Sequence, residues 1–375
     1  MPGFEIIGKE EKRAVNKVFS EGGVLFAHGF EALRKNFHIR QFEKIFCKRF
    51  NCRHSLAVSS GTASIKIALK AMGVKPGDEV ITQAFNFIAT VEAIVDVGAI
   101  PIIANVDDSL NMSVEDTEKL ITSKTKVILP VHMLGVPAEM NSLMQLAKNK
   151  KIKVLEDNCE SVGAKYNGKF LGTIGHAGAL SFDFGKVITT GEGGMIITND
   201  YKIDKYCREY HDHGHENNAK FPRGRDTKTI PGFNYRITEL QAAIGNVQLK
   251  KLVSILKNNK RKYLLLESKI EKIYKIRQCP KKNLQIYDTF IFFVKNFKIR
   301  EKILKILKAY KVGTKVLPDA MEWHCGYFWN HALDKKNILN SKKTYNYLKE
   351  AIAIPINVKT PISIYKKIAK SITEV

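Results

Sequence analysis

From residue 55 to 199 the hydrophobic positions fall into short apolar runs separated by amphipathic stretches. The runs cover 55–59, 79–83, 100–106, 126–131, 153–157, 179–183 and 195–198. Helical periodicity lies between many of them, at 64–72, 88–97, 113–121 and 139–148. Turn signals such as Lys75-Pro76-Gly77-Asp78 and Asn167-Gly168 mark the joints. Runs of this length, apolar on both faces, suit buried strands. Their alternation with helices predicts an α/β fold with a doubly wound, mainly parallel sheet. After about residue 250 the texture changes to Lys-rich amphipathic helices and short strands such as 289–294. The expected division is a large domain over 1–250, with an N-terminal helical segment, and a smaller α+β domain over 251–375.

In such a sheet, ligands bind beyond the carboxyl ends of the strands, so residues just after the runs carry the chemistry. Ser59-Ser60-Gly61-Thr62-Ala63 follows one run and opens a helix. A small-residue turn there offers backbone N–H groups and the positive helix end to a phosphate, although the same residues form an ordinary N-cap. Asp157 closes the run 153–157. A carboxylate in that place either caps the next loop or pairs with a protonated ring nitrogen of a cofactor. Lys186 follows Ser181-Phe182-Asp183-Phe184-Gly185 and precedes a glycine-rich turn. A lysine desolvated there is expected to have a lowered pKa and an amine free to form a Schiff base. The plainer reading is an exposed loop lysine.

Composition narrows the partners. The 375 residues include 61 Lys and Arg against 37 Asp and Glu, a formal net charge of +24. The basic residues are dispersed, and no RNP, zinc-finger or basic-zipper pattern appears, so nucleic acid is not expected. The plainer reading of this charge is a lysine-rich solvated surface, and the sharper one is a basic funnel for an anionic small molecule. No run of about 18 apolar residues exists, so no membrane span is expected. Six cysteines at 47, 52, 159, 207, 279 and 325 form no Cys-x-x-Cys pair, and residues 1–5 do not read as a signal peptide. Together these predict free thiols in a reducing cytoplasm.

The ordered set of phosphate turn, aromatic, acidic strand end, serine and lysine resembles the DegT branch of the fold type I pyridoxal-phosphate enzymes, the sugar aminotransferases. The matching stretches include 60–64, 75–82, 85–94, 130–140, 154–158, 181–186 and 232–236. The resemblance implies pyridoxal 5′-phosphate as cofactor, held covalently by Lys186, the catalytic residue. It implies that Asp157 pairs with the ring nitrogen and Phe87 stacks on the ring. Gly61, Thr62, Ala63 and the Ser181 hydroxyl would cradle the phosphate. Asn234 would reach the phosphate of a partner subunit's cofactor, in a homodimer with shared sites. The family usually has glutamine where this chain has Glu160, near the cofactor's 3-hydroxyl; a carboxylate there is expected to be protonated or turned away.

The expected reaction takes an amino group from glutamate to an anionic keto-sugar. The acceptor is either a nucleotide-linked keto-deoxyhexose or, by likeness of residues 1–8 and 212–215 to the enzymes that aminate C8 of an oxidised 3-deoxyoctulosonate, that acid. His213, His215, Arg223 and His324 are the substrate candidates. His211, His213 and His215 alternate, but the segment reads as a loop, and no metal is expected. Two alternatives stand beside this one: a sugar 3-dehydratase, whose branch carries histidine in place of Lys186, and a non-catalytic cofactor-binding sensor.

Overall fold

The fold was analysed in a computed structural model. It describes residues 2–218, 220–280 and 282–375. Eleven strands are present among these residues: β1 His54–Val58, β2 Glu79–Gln83, β3 Ile100–Ala104, β4 Thr125–Ile128, β5 Lys153–Asp157, β6 Lys165–Tyr166, β7 Lys169–Phe170, β8 Ala177–Ser181, β9 Gly194–Thr198, β10 Thr289–Phe293 and β11 Ala351–Pro355. Seven of them form one sheet in the order β1-β9-β8-β5-β4-β2-β3. All its pairings are parallel except the two made by β9, which runs against both β1 and β8.

The strands are apolar on both faces because helices cover both. In β9, Ile196 packs into one core, while Met195 and Ile197 pack into the other. The strand order puts β1, β8 and β5 close together, although β1 is about a hundred residues away in sequence. Their carboxyl ends are therefore neighbours, and the loops that follow them meet.

The helix Glu239–Ile270 crosses residue 250 without a break. Thr238 and Gln241 form a capping box at its start. Its first half buries Ala242, Leu249 and Leu252 in the core under the main sheet. Its last half buries Tyr263, Leu266 and Ile270 with the antiparallel pair β10–β11 and the helices Phe297–Ala309 and Ile362–Thr373. The expected boundary at 250 thus falls inside a helix shared by two cores. Residues 321–340 return to the strands of the main sheet: Trp329 and Leu333 form a separate small cluster with Ala84, Ile88, Val91 and Ile103. Among the described residues, no helix is long and apolar enough to cross a membrane.

Candidate active site

A cavity of about 640 Å³ opens at the carboxyl ends of the strands. Ser60, Gly61 and Thr62 line it from the turn after β1, Phe87 from the loop after β2, and Asp157, Ser181 and Lys186 from the ends of β5 and β8. Thr314, Lys315, His324 and Asn357 close it from the C-terminal part of the chain.

The turn after β1 is built tightly. The Ser60 hydroxyl accepts the N–H of Ala63 at 3.0 Å and caps the helix Gly61–Ala71. That bond occupies the Ala63 amide, and Ala63 lies outside the cavity lining. The amides of Gly61 and Thr62 are left as the helix-start donors beside the cavity. Position 61 must lack a side chain, because a Cβ there would lie 2.8 Å from the Ser181 Cβ and 3.1 Å from the Cys159 Sγ.

Asp157 is buried, and both its oxygens are held. One accepts the Cys159 N–H at 3.0 Å and the other the Thr90 hydroxyl at 2.7 Å. These two donors fix the carboxylate's orientation at the cavity wall. Thr90 was not singled out in the sequence, although it lies within the stretch 85–94.

Glu160 and Lys186 depart from expectation. The Lys186 ammonium donates to Glu160 Oε1 at 2.9 Å. Burial raises the Glu160 pKa, but Lys186, Lys315 and His324 overcome this and hold the carboxyl down at about 2. Glu160 is ionised and turned toward the lysine, neither protonated nor averted. Burial likewise acts to lower the Lys186 pKa, yet the Glu160 carboxylate outweighs it and lifts the amine above its ordinary value. The expectation of a lysine freed by desolvation is reversed, because the Glu160 carboxylate stands beside it.

Lys315 meets Asp288 at 2.7 Å on the opposite wall. No local motif marks either residue; the fold of the C-terminal part brings them in. His324 is the one substrate candidate that reaches this cavity. The other three stand apart from it within the chain. His213 is exposed with φ 52°, His215 meets Asp226 at 3.2 Å, and Arg223 binds Asp212 through both its terminal nitrogens at 2.7 and 2.6 Å. Asn234 pairs its backbone with Asp212, and its side chain accepts the Arg236 N–H at 3.3 Å. Arg223 lines a second cavity of about 620 Å³ with His28, Arg40, Arg208, His211 and Arg236.

The profile of the DegT/DnrJ/EryC1/StrS aminotransferase family matches residues 7–373. The chain belongs to this family. Its aminotransferases depend on pyridoxal phosphate. The chain is 40% identical over 217 residues to GDP-perosamine synthase of Escherichia coli, a match covering 58% of each protein. The likeness thus spans somewhat more than half of that relative's length. The aminotransferase of Psychrobacter cryohalolentis superposes with a TM-score of 0.83 at 25% identity, over 98% of this chain and 96% of that one. The E. coli GDP-4-keto-6-deoxy-D-mannose-3-dehydratase superposes with a TM-score of 0.81 at 22% identity, over 98% of this chain and 97% of that one. At that identity only the shared fold is shown, and the fold alone does not separate amination from dehydration.

Proposed function

We propose that this protein moves an amino group from glutamate to the keto group of a nucleotide-linked deoxyhexose, with pyridoxal phosphate attached to Lys186. The observation that carries the reading is the convergence of Gly61, Asp157, Ser181 and Lys186 on one cavity at adjacent strand ends. Those residues fit the cofactor. The side-chain-free Gly61 leaves room beside Ser181 for a phosphate, Asp157 suits a protonated ring nitrogen, and Phe87 offers a ring face. When bound, pyridoxal phosphate supplies an electron sink that stabilises negative charge next to the migrating nitrogen.

The chain's own residues do the rest. Thr90 and the Cys159 amide hold Asp157 aimed at the cavity. Lys186 moves the proton at its Nζ, with Glu160 as the neighbour that sets how readily it does so. Lys315, braced by Asp288, and His324 face the same space and suit an anionic substrate. A lysine at 186, where the dehydratase branch carries histidine, favours amination.

The nucleotide-linked acceptor rests on the likeness to GDP-perosamine synthase, and the octulosonate is its rival. Asn234, His213, His215 and Arg223 lie outside the chain's own cavity, beside the exposed Phe221 and Phe233. This supports a homodimer in which they serve the neighbouring site. A cytoplasmic location suits the free cysteines. The test is to load the protein with cofactor, fix it with borohydride and map the labelled peptide. The unfixed enzyme and glutamate are then offered both acceptor classes, and 2-oxoglutarate and aminated sugar are measured. Label at Lys186 and amination of the nucleotide sugar are expected. Label on another lysine, or amination of the octulosonate alone, refutes the reading.

A further inference from the structure

The sequence left Trp323 without a role. The structure leaves its ring 60% exposed, next to the cavity though not among its lining residues. It lies beside Phe87, centroid to centroid 6.5 Å at 30°, and Phe87 lines the cavity and is itself 43% exposed. His324, also a lining residue, packs on Phe87 from another side at 5.3 Å. Three rings thus form one continuous aromatic rim.

That rim is held from below. The Trp323 carbonyl accepts the Ile88 N–H at 3.2 Å, and the His324 carbonyl accepts the Asn86 N–H at 3.1 Å. Phe85 and Cys325 pair as an antiparallel bridge, and the Trp329 indole donates to the Glu322 carbonyl at 3.0 Å. The strap carrying Trp323 is therefore stitched to the loop carrying Phe87. Scattered exposed aromatics are ordinary, but a contiguous group at a cavity mouth on a fixed backbone is a preformed stacking surface. Little ordering is lost when a flat ligand lands on it.

We propose that Trp323, packed against the cofactor-facing Phe87, is the platform on which the base of a nucleotide-linked acceptor stacks while its sugar reaches toward Lys186. The proposal rests on the nucleotide-sugar reading and deepens it. A stack on an aromatic face needs a flat ring, which every nucleobase has and a free acidic sugar lacks. The +24 net charge suits the diphosphate that joins base to sugar.

The chain has two tryptophans, and Trp329 is only 1% exposed, so a fluorescence change on binding at the rim reports Trp323. The cofactor-loaded enzyme is titrated with GDP, UDP and dTDP, and with pyrophosphate and a sugar 1-phosphate as probes without a base. Nucleotides are expected to quench and the base-free probes to leave the signal unchanged. By calorimetry, Trp323→Ala should weaken nucleotide binding by roughly tenfold or more, the scale of one base–aromatic stack. Trp323→Phe should restore most of it. In turnover, Trp323→Ala should raise KM for the nucleotide sugar and leave kcat nearly unchanged.

Equal nucleotide affinity in Trp323→Ala, or equal quenching by pyrophosphate, overturns the platform while amination at Lys186 stands. Amination of a base-free acid in preference to nucleotide sugars overturns it too. Nucleotide quenching that needs Trp323, in an enzyme that aminates no sugar, would uphold the platform and sink the transamination reading instead.

Discussion

Replacing Glu160 by Gln removes one charge from the cavity, keeps the side chain's shape and restores the residue usual in the family. The carboxyl is held at about 2 against an ordinary 4.5, although burial pushes the other way. Side-chain exposures of 11% for Glu160 and 18% for Lys186 leave little water to screen the pair. The preference for the charged carboxylate is therefore roughly 3 kcal/mol. Lys186, Lys315 and His324 share it, with Lys186 first among the three. Losing the charge should lower the Lys186 pKa. Only the unprotonated amine forms a Schiff base. Below the lysine's pKa, each unit by which that pKa falls raises the amine fraction about tenfold.

The assay mixes cofactor-free enzyme with pyridoxal phosphate between pH 7 and 9 and follows the visible absorbance. Glu160→Gln should capture the cofactor faster at a given pH, by about tenfold for each unit the lysine pKa falls. A capture rate equal to or below that of the wild type, with an unchanged circular dichroism spectrum, would show that Glu160 does not govern the lysine's proton.

Two further outcomes are expected. Burial holds His211 at about 3 and His28 at about 4, below their ordinary 6.5, so both stay neutral in the folded chain while the unfolded chain takes up protons. Stability should fall from pH 6.5 to 4.5, by roughly 2–4 kcal/mol at pH 5. His211→Asn should flatten this dependence in urea unfolding, and an unchanged urea midpoint at pH 7 and pH 5 in the wild type would refute the assignment. Mixing Asn234→Ala with Lys186→Ala subunits should restore activity toward one working site per heterodimer, because one site then has both its lysine and its asparagine. No recovery in heterodimers shown to form would place Asn234 outside the neighbouring site.

The chain's pattern was enough for the layers of the fold. Strands buried on both faces read as apolar runs, and β2 and β5 begin and end where those runs do. The placement of the residues at strand ends was legible for the same reason. Asp157, Ser181 and Lys186 are fixed to the sheet by the strands just before them, so local sequence places them. What sequence could not supply was neighbourhood across the sheet. Nothing in the run 195–198 says that β9 runs antiparallel between β1 and β8, yet that insertion sets Gly61 against Ser181. The boundary expected at 250 vanished into a helix whose amphipathic pattern continues through it.

Electrostatics depended most on tertiary structure. A lysine at a buried strand end was expected to be deprotonated by desolvation alone. Its actual state is set by a carboxylate 26 residues earlier in the chain, brought to 2.9 Å by the pairing of β5 with β8. Lys315 and His324 enter the same cavity from the far end of the chain, and the Trp323 backbone is bonded to Ile88 in the loop after β2. Residue type and local periodicity determined which groups the chain carries to the site. The through-space charges that decide their protonation, and the ring that frames the entrance, were set only when distant segments closed on one another, since Coulomb forces and stacking follow distance in space and not separation along the chain.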